Sequence, residues 1–527
     1  MKPHLILAAL CFLLFNACKS VKKHNMLVAS LHPVQHLHED VDAVHKKLKK
    51  HHPRLYQYIS KSALDFKFDS LKLSISKPLS SAEFYEKLAP VLMAVKQGHI
   101  GVAPPQKWFT KSERRVLGKS KFEFYDLEFK YLDSALYVSN TKPDSLLLGS
   151  QVLAVGGDPV STLIEKYKTL FASDGYNTTL FNRQIGSSFH KLYFRDQGFS
   201  DSLQVTFKKS DSVFTRMFRR IPKDTPQTER SNKTHVTENI KQLTRTEKLR
   251  KKQIAREKRQ RDKIYGLEKE AGIYTRNFNF APADSSVAIM KIRAFSNGNY
   301  KRFYKQSFAL LDSLKTPHLI LDLRDNGGGR ISEIAYLFRF LAREDYQFIN
   351  PSQVTSRLPI LDYAFSNGAP VSLKIVAGVF SPFIATHNLI KTKKINDTIY
   401  YRFRYSKTQS PFKKAFKGHM YVLINGNSFS ASAILATNLH GHKLATFIGE
   451  ETGGAYNGTV AGLFKIYNLP HSRIKVRLGI MQIEAPFKTE PDGYGIKPDV
   501  SIKPTWQDIV NKNDPELEWL LEAINKH

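Results

Sequence analysis

"YVLINGNSFSASAI", residues 421–434, runs from an apolar stretch through an Asn-Gly-Asn turn into three serines, Ser428, Ser430 and Ser432. A short apolar run bounded by turn residues is the pattern of a buried strand. The small and aliphatic residues that follow favour a helix starting near Ser430. Upstream, "HLILDLRDNGGGR" (318–330) repeats the arrangement, with a helix expected from Ile331 to Leu341. Two buried strands that each deliver a polar, small-residue loop at the C-terminal end define an open α/β sheet with its ligand edge on that side.

Each loop carries chemistry. Gly327, Gly328 and Gly329 leave backbone N–H groups unshielded and allow φ > 0, which suits an anion nest or half of an oxyanion hole. A hydroxyl at a helix N-terminus, as at Ser430, lies beside unpaired N–H groups and the positive end of the dipole. The same serines can equally serve as N-caps. Small Ala431 beside Ser430 leaves room for a substrate, which a cap does not need.

Outward from these loops, 527 residues give room for about three domains. Hydrophobic residues at 42% and aromatics at 12% suffice for packed cores and exclude a disordered polymer. Met1-Lys2 precedes an apolar stretch from Leu5 to Phe15, too short to span a bilayer, that closes in Asn16-Ala17-Cys18. This resembles a bacterial lipoprotein signal, with Cys18 as the lipidated first mature residue. The only other cysteine, Cys11, lies inside the signal, so the mature chain has no thiol for a disulfide, a zinc-thiolate site or cysteine catalysis.

The net charge is +33, and residues 241–263 alone carry eleven Lys/Arg against three acids with no Gly or Pro. That run reads as a solvated helical or mobile insertion, with anionic lipid as a candidate contact. It has no interleaved aromatics, which argues against nucleic acid as a partner.

From Glu39 to Lys96 the apolar spacing is helical (Val41, Val44, Leu48; Phe84, Leu88, Val91, Leu92, Val95). From Phe122 to Lys208 it becomes strand-like, with a Gly156-Gly157-Asp158 turn after Val152–Val155. That hairpin resembles a PDZ domain, which binds extended peptides by strand addition. The expected organisation is therefore a signal (1–18), a tether and helical domain (19–118), a PDZ-like domain (119–214), the basic insertion (215–272), an α/β core (273–510) and a C-terminal tail helix (511–527).

"LDLRDNGGG", then "VLINGNSFSASAI", then "IGEETGG" resemble the C-terminal-processing serine peptidases, with "GHI" (98–100) and "GYGIKPDV" (493–500) in support. The resemblance implies a ClpP/crotonase-like α/β core and a nucleophile at the central serine, Ser430. It also implies oxyanion donors at Ala431 and at Gly327 or Gly328. The lysine base of the tail-specific branch is missing: Ala455 stands where it would fall, and no lysine occurs between Lys443 and Lys465. The likeness is closer to the tricorn-like branch, which implies His99 as base and an acid near the closing strand, at Asp492, with Glu450 and Glu451 as rivals. The logic is that of a serine triad: the base takes the hydroxyl proton and the acid holds the imidazole tautomer.

His51-His52 and His440/His442 have no third ligand at metal spacing, so no metal and no cofactor are expected. Arg324 and Asp325 are expected to shape the glycine loop. The sequence thus points to a membrane-anchored serine endopeptidase of the bacterial envelope, facing the periplasm, with a polypeptide substrate. The alternative is a catalytically degenerate binder of peptides or apolar ligands on the same fold. Oligomeric state is not legible from it.

Overall fold

The computed structural model describes residues 20–141, 145–223, 244–282 and 284–526. Residues 1–19, with Cys18 and the signal, and 224–243 lie outside them. Ser20 caps a helix, Val21–Ala29, where the sequence reads as a tether, and His24 stacks on Trp108 at 3.8 Å.

The helices Val34–His51, Lys61–Leu73 and Ser81–Met93 bury Leu37, Val41, Val44 and Leu48 against Leu64, Phe68, Phe84, Leu88 and Leu92. Ser80 and Glu83 form a reciprocal capping box that starts the third helix. Three residues, Gly101–Ala103, then leave this bundle and pair antiparallel with Lys475–Ile483 (Gly101↔Arg477, Val102↔Val476). That pairing carries His99 to the far end of the chain's fold.

The β-rich region is an antiparallel sheet in the order Ser120–Phe122, Ser212–Pro222, Ser202–Lys209, Gln151–Val155, Ala135–Thr141, Leu127–Leu132, with Asp158–Pro159 paired to Gln151–Val155. Gly156 and Gly157, at φ 64° and 94°, make the turn expected from sequence. The helices Val160–Lys168 and Thr179–Asp196 accompany the sheet. Strand Ser212–Pro222 runs past the expected end at 214. In the basic run the helix Arg245–Tyr265 is exposed, with only Ile264 buried.

The core holds two six-stranded sheets. The first has the order Arg276–Ala281, Asp284–Ile292, His318–Asp322, His419–Ile424, Thr446–Gly449, Val500–Ser501, parallel after its first antiparallel pair. Strand alternation divides its side chains. Leu319, Leu321, Val422 and Ile424 pack under the helices Tyr300–Leu314, Ile331–Phe338 and Ala431–Gly441, whereas Ile320, Leu423 and Ile448 meet Leu520 and Ile524 of Pro515–Asn525. The tail helix is therefore part of the core. Arg324 ties it down, donating to Asp322 (2.8 Å) and Asp514 (2.6 Å). The second sheet runs Thr392–Ile395, Thr398–Tyr401, Ser352–Val354, Lys475–Ile483, Thr459–Asn468, with Gly101–Ala103 also on Lys475–Ile483. It brings Thr459 and the His99 segment to the ligand edge of the first sheet.

Candidate active site

The three serines have three different fates. Ser428 is fully buried, donating to Leu323 O (2.9 Å) and accepting from Asn425 N–H (3.1 Å), so it staples the turn to the glycine-loop strand. Ser432 is buried inside the helix, its hydroxyl without a partner among the described residues. Ser430 stands at the N-cap position of Ala431–Gly441 but makes no capping hydrogen bond. Its backbone lies at φ 57°, ψ −120°, a region costly for a residue with a Cβ, and such strain clusters at functional sites.

The surroundings impose that conformation. Phe429 N–H donates to Asn326 O (3.1 Å), and Asp325 Oδ1 accepts from Asn425 (3.2 Å) and Asn427 (3.0 Å). Asp325 thus shapes the serine turn rather than its own loop alone. Gly328, at φ 101°, is pressed onto Ser430: a Cβ there would lie 2.7 Å from Ser430 Cβ.

Ser430 Oγ and His99 Nε2 are 3.0 Å apart, across 331 residues of sequence. The imidazole is stacked on Phe429 (4.8 Å, 24°) and Phe464 (5.7 Å, 25°), which fix its plane. Burial pushes its pKa down to about 3, with the Arg477 guanidinium adding a smaller push the same way. The ring is therefore neutral, with Nε2 free to accept a proton, throughout the physiological range.

His99 Nδ1 does not meet Asp492. Its partner is Thr459 Oγ1 at 3.0 Å. Behind Thr459 lies Asp174, fully buried, whose Oδ1 accepts from Gly98 N–H at 2.8 Å. Burial raises this carboxyl to about 6, and the Gly98 N–H, the Thr459 hydroxyl and the Ala455 N–H pull it back down. Oδ2 has no partner of good hydrogen-bond geometry. Thr459 thus stands beside this carboxyl as well as the imidazole, with no formed hydrogen bond to Oδ2. The sequence reading missed both Thr459 and Asp174. Asp174-Gly175 reads as an ordinary Asp-Gly turn, and nothing local marks Thr459.

Asp492, expected to hold the imidazole, instead accepts from Gln57 (2.9 Å), Tyr58 (3.4 Å) and its neighbour Gly493 N–H (2.6 Å). Gln57 in turn accepts from Gln97 (3.1 Å), so Asp492 braces the segment before His99 rather than the ring. The rival acids are engaged elsewhere, Glu450 with Arg183 and Glu451 with Gly495 N–H. Ala455 is 1% exposed and packed in, leaving no place for a lysine base there.

The expected oxyanion donors divide. Gly328 N–H donates to Asn326 Oδ1 at 2.9 Å and so is not available. The N–H groups of Ala431, Gly327 and Gly329 have no acceptor among the described residues. Beside Ser430 opens a cavity of about 400 Å³, lined by Ile331, Ile334, Ile434, Ala461, Phe464 and Ile483. The histidines noted in the sequence lie elsewhere, and no group of His, Cys, Asp and Glu among the described residues could hold a metal ion.

Residues 286–502 match the model of peptidase family S41. No curated protein sequence matches the chain. Among solved structures, mature CPAF superposes with a TM-score of 0.57 at 14% identity, covering 93% of this chain and 96% of that one. The photosystem II D1 C-terminal processing protease gives 0.40 at 14% identity, covering 88% of this chain and 92% of its own. A putative peptidase from Parabacteroides merdae gives 0.45 at 14% identity, covering 93% and 96%.

Proposed function

We propose, for a chain that carries a peptidase family S41 domain and is a serine-type peptidase, that Ser430 is the nucleophile of an endopeptidase and His99 its base. The observation that carries this is the 3.0 Å contact between Ser430 Oγ and His99 Nε2, beside unpaired backbone N–H groups. Ser430 Oγ attacks the scissile carbonyl and its proton passes to His99 Nε2. The carbonyl oxygen, now negative, is held by Ala431 N–H and by the amide of Gly327 or Gly329. His99 returns the proton to the leaving amine, and water then resolves the acyl-enzyme by the same route in reverse.

The imidazolium formed midway needs an orienting anion. Asp174 serves, acting through Thr459: Nδ1–H donates to Oγ1, and the Thr459 hydroxyl donates to the carboxylate. Both are positioning residues. Asp492 is a third, acting on the backbone before His99. The isoleucine-lined cavity takes an apolar substrate side chain next to the scissile bond. The β-rich region is PDZ-like in its glycine turn, and an extended polypeptide added to its sheet would be fed toward Ser430. Acylation at Cys18 would hold the enzyme on a membrane in the bacterial envelope.

The test uses a fluorophosphonate probe and an unfolded polypeptide substrate. The parent chain should label at Ser430 and cleave, and Ser430→Ala should do neither while remaining folded. Cleavage by Ser430→Ala, or a parent that neither labels nor cleaves, rejects the assignment; the second result would leave a peptide-binding protein.

A further inference from the structure

One surface is left over by this chemistry. The helices Val371–Val379 and Ser381–Lys391 meet at an 80° bend and bury only Ala377 and Asn388. Their outer faces expose Phe383 at 74%, Val379 at 69% and Ile390 at 65%, with Ile375, Val376 and Phe380 beside them. Large apolar side chains exposed together along one helical pair of a folded chain mark an interaction site. No single described helix is long and apolar enough to cross a bilayer, and the bend keeps this pair from doing so as one rod.

The charge pattern says what covers it. From Tyr363 to Asn396 there is no Asp or Glu, while Lys374, His387, Lys391, Lys393 and Lys394 fall within the stretch. Lys394 pairs with Asp397 at 2.7 Å, whereas Lys374, Lys391 and Lys393 have no ion pair among the described residues. An apolar face with a basic rim is the pattern of a helix lying in the headgroup layer of an anionic membrane. A second copy fits less well. A two-fold interface sets the same patch against itself, bringing lysines toward lysines around the apolar centre.

We infer that this bent helical pair is a membrane-docking face that seats on anionic phospholipid headgroups, independently of any N-terminal lipid. The mount is firm. Asn388 Oδ1 accepts from Ile360 N–H (3.2 Å), and Asn367 N–H donates to Ile466 O (2.9 Å), on the strand that begins at Thr459. Seating the pair would therefore set the orientation of the Ser430 cleft relative to the bilayer.

The test places an environment-sensitive fluorophore at Val379→Cys in the full chain. Cys11→Ser and Cys18→Ser remove other thiols and any acylation, and exposed Ser313→Cys serves as the control. With vesicles of phosphatidylethanolamine and phosphatidylglycerol, the dye at 379 should shift to shorter wavelength and brighten about threefold or more, with no change at 313. Phosphatidylcholine vesicles should give a weaker response, and Lys374→Gln, Lys391→Gln and Lys393→Gln together should weaken binding to the anionic vesicles about a hundredfold, three charges at roughly 1 kcal/mol each with about 1.4 kcal/mol per tenfold. No response at 379, or an equal one at 313, overturns the proposal. So does a shift at 379 without vesicles accompanied by a doubled mass in light scattering, which would assign the face to a second copy.

Discussion

Replacing Asp174 with Asn should raise stability and lower activity in the same molecule. Burial holds this carboxyl at about 6 against an ordinary 3.8. At about 1.4 kcal/mol per pKa interval, keeping it ionised at neutral pH costs the fold roughly 3 kcal/mol. An acid whose folded pKa lies above its unfolded one binds more protons when folded. The cost is therefore absent below about pH 4, grows as pH rises to about 6, and is constant above. Asn keeps the shape without the charge, so the variant should melt higher than the parent near pH 7.5 and converge with it near pH 4.

Catalysis moves the other way. With its Oδ1 accepting from Gly98 N–H, the new amide NH2 occupies the place of Asp174 Oδ2 and donates to Thr459 Oγ1. The Thr459 hydroxyl then turns its hydrogen toward His99 Nδ1, putting the imidazole proton on Nε2, the atom that must accept from Ser430. The same tautomer reversal in a serine triad lowers kcat by about 10⁴, and with a hydroxyl between acid and ring a fall of about 10²–10⁴ is expected. The assay is kcat/KM on an unfolded polypeptide from pH 5 to 9, alongside thermal unfolding. The parent should lose activity as pH falls through about 6, and the variant should lack that limb. Activity within about threefold of the parent refutes the relay, because an electrostatic partner of the base cannot be that dispensable.

Thr459→Val keeps the volume but removes the bridging hydroxyl, so kcat should fall about 10- to 100-fold with KM little changed, and Thr459→Ser should restore most of it. Asp492→Asn, which touches His99 only through Gln57 and Gln97, should cost less than about tenfold in kcat/KM and leave the acid limb of the pH profile in place. Arg276→Met removes the fully buried 2.8 Å partner of Glu333, which keeps Arg330 (2.7 Å) and the Tyr304 hydroxyl (3.1 Å), and should lower unfolding free energy by about 1.5–3 kcal/mol in denaturant titrations. The double variant Arg276→Met/Glu333→Leu should recover most of that loss.

The local physics of this chain was written in its sequence. Apolar runs with small-residue loops marked 318–323 and 420–424 as buried strands, close to the observed His318–Asp322 and His419–Ile424, and glycines marked where backbone must approach backbone, as Gly328 does Ser430. The motif singled out Ser430 among three serines and His99 among eighteen histidines, and the two lie in contact. What orients the ring was not legible. Thr459 and Asp174 owe their place to a sheet that joins residues 101–103 to 475–477 and to a loop folded beneath it. No period or spacing encodes a meeting of side chains 360 residues apart. Asp492 fell just as plausibly by sequence position, but a hydrogen bond is decided within a few tenths of an ångström, and only packing sets that. The fate of each serine hydroxyl as staple, buried passenger or partner of His99 was decided by the same tertiary contacts, because the three have identical chemistry and differ only in what surrounds them.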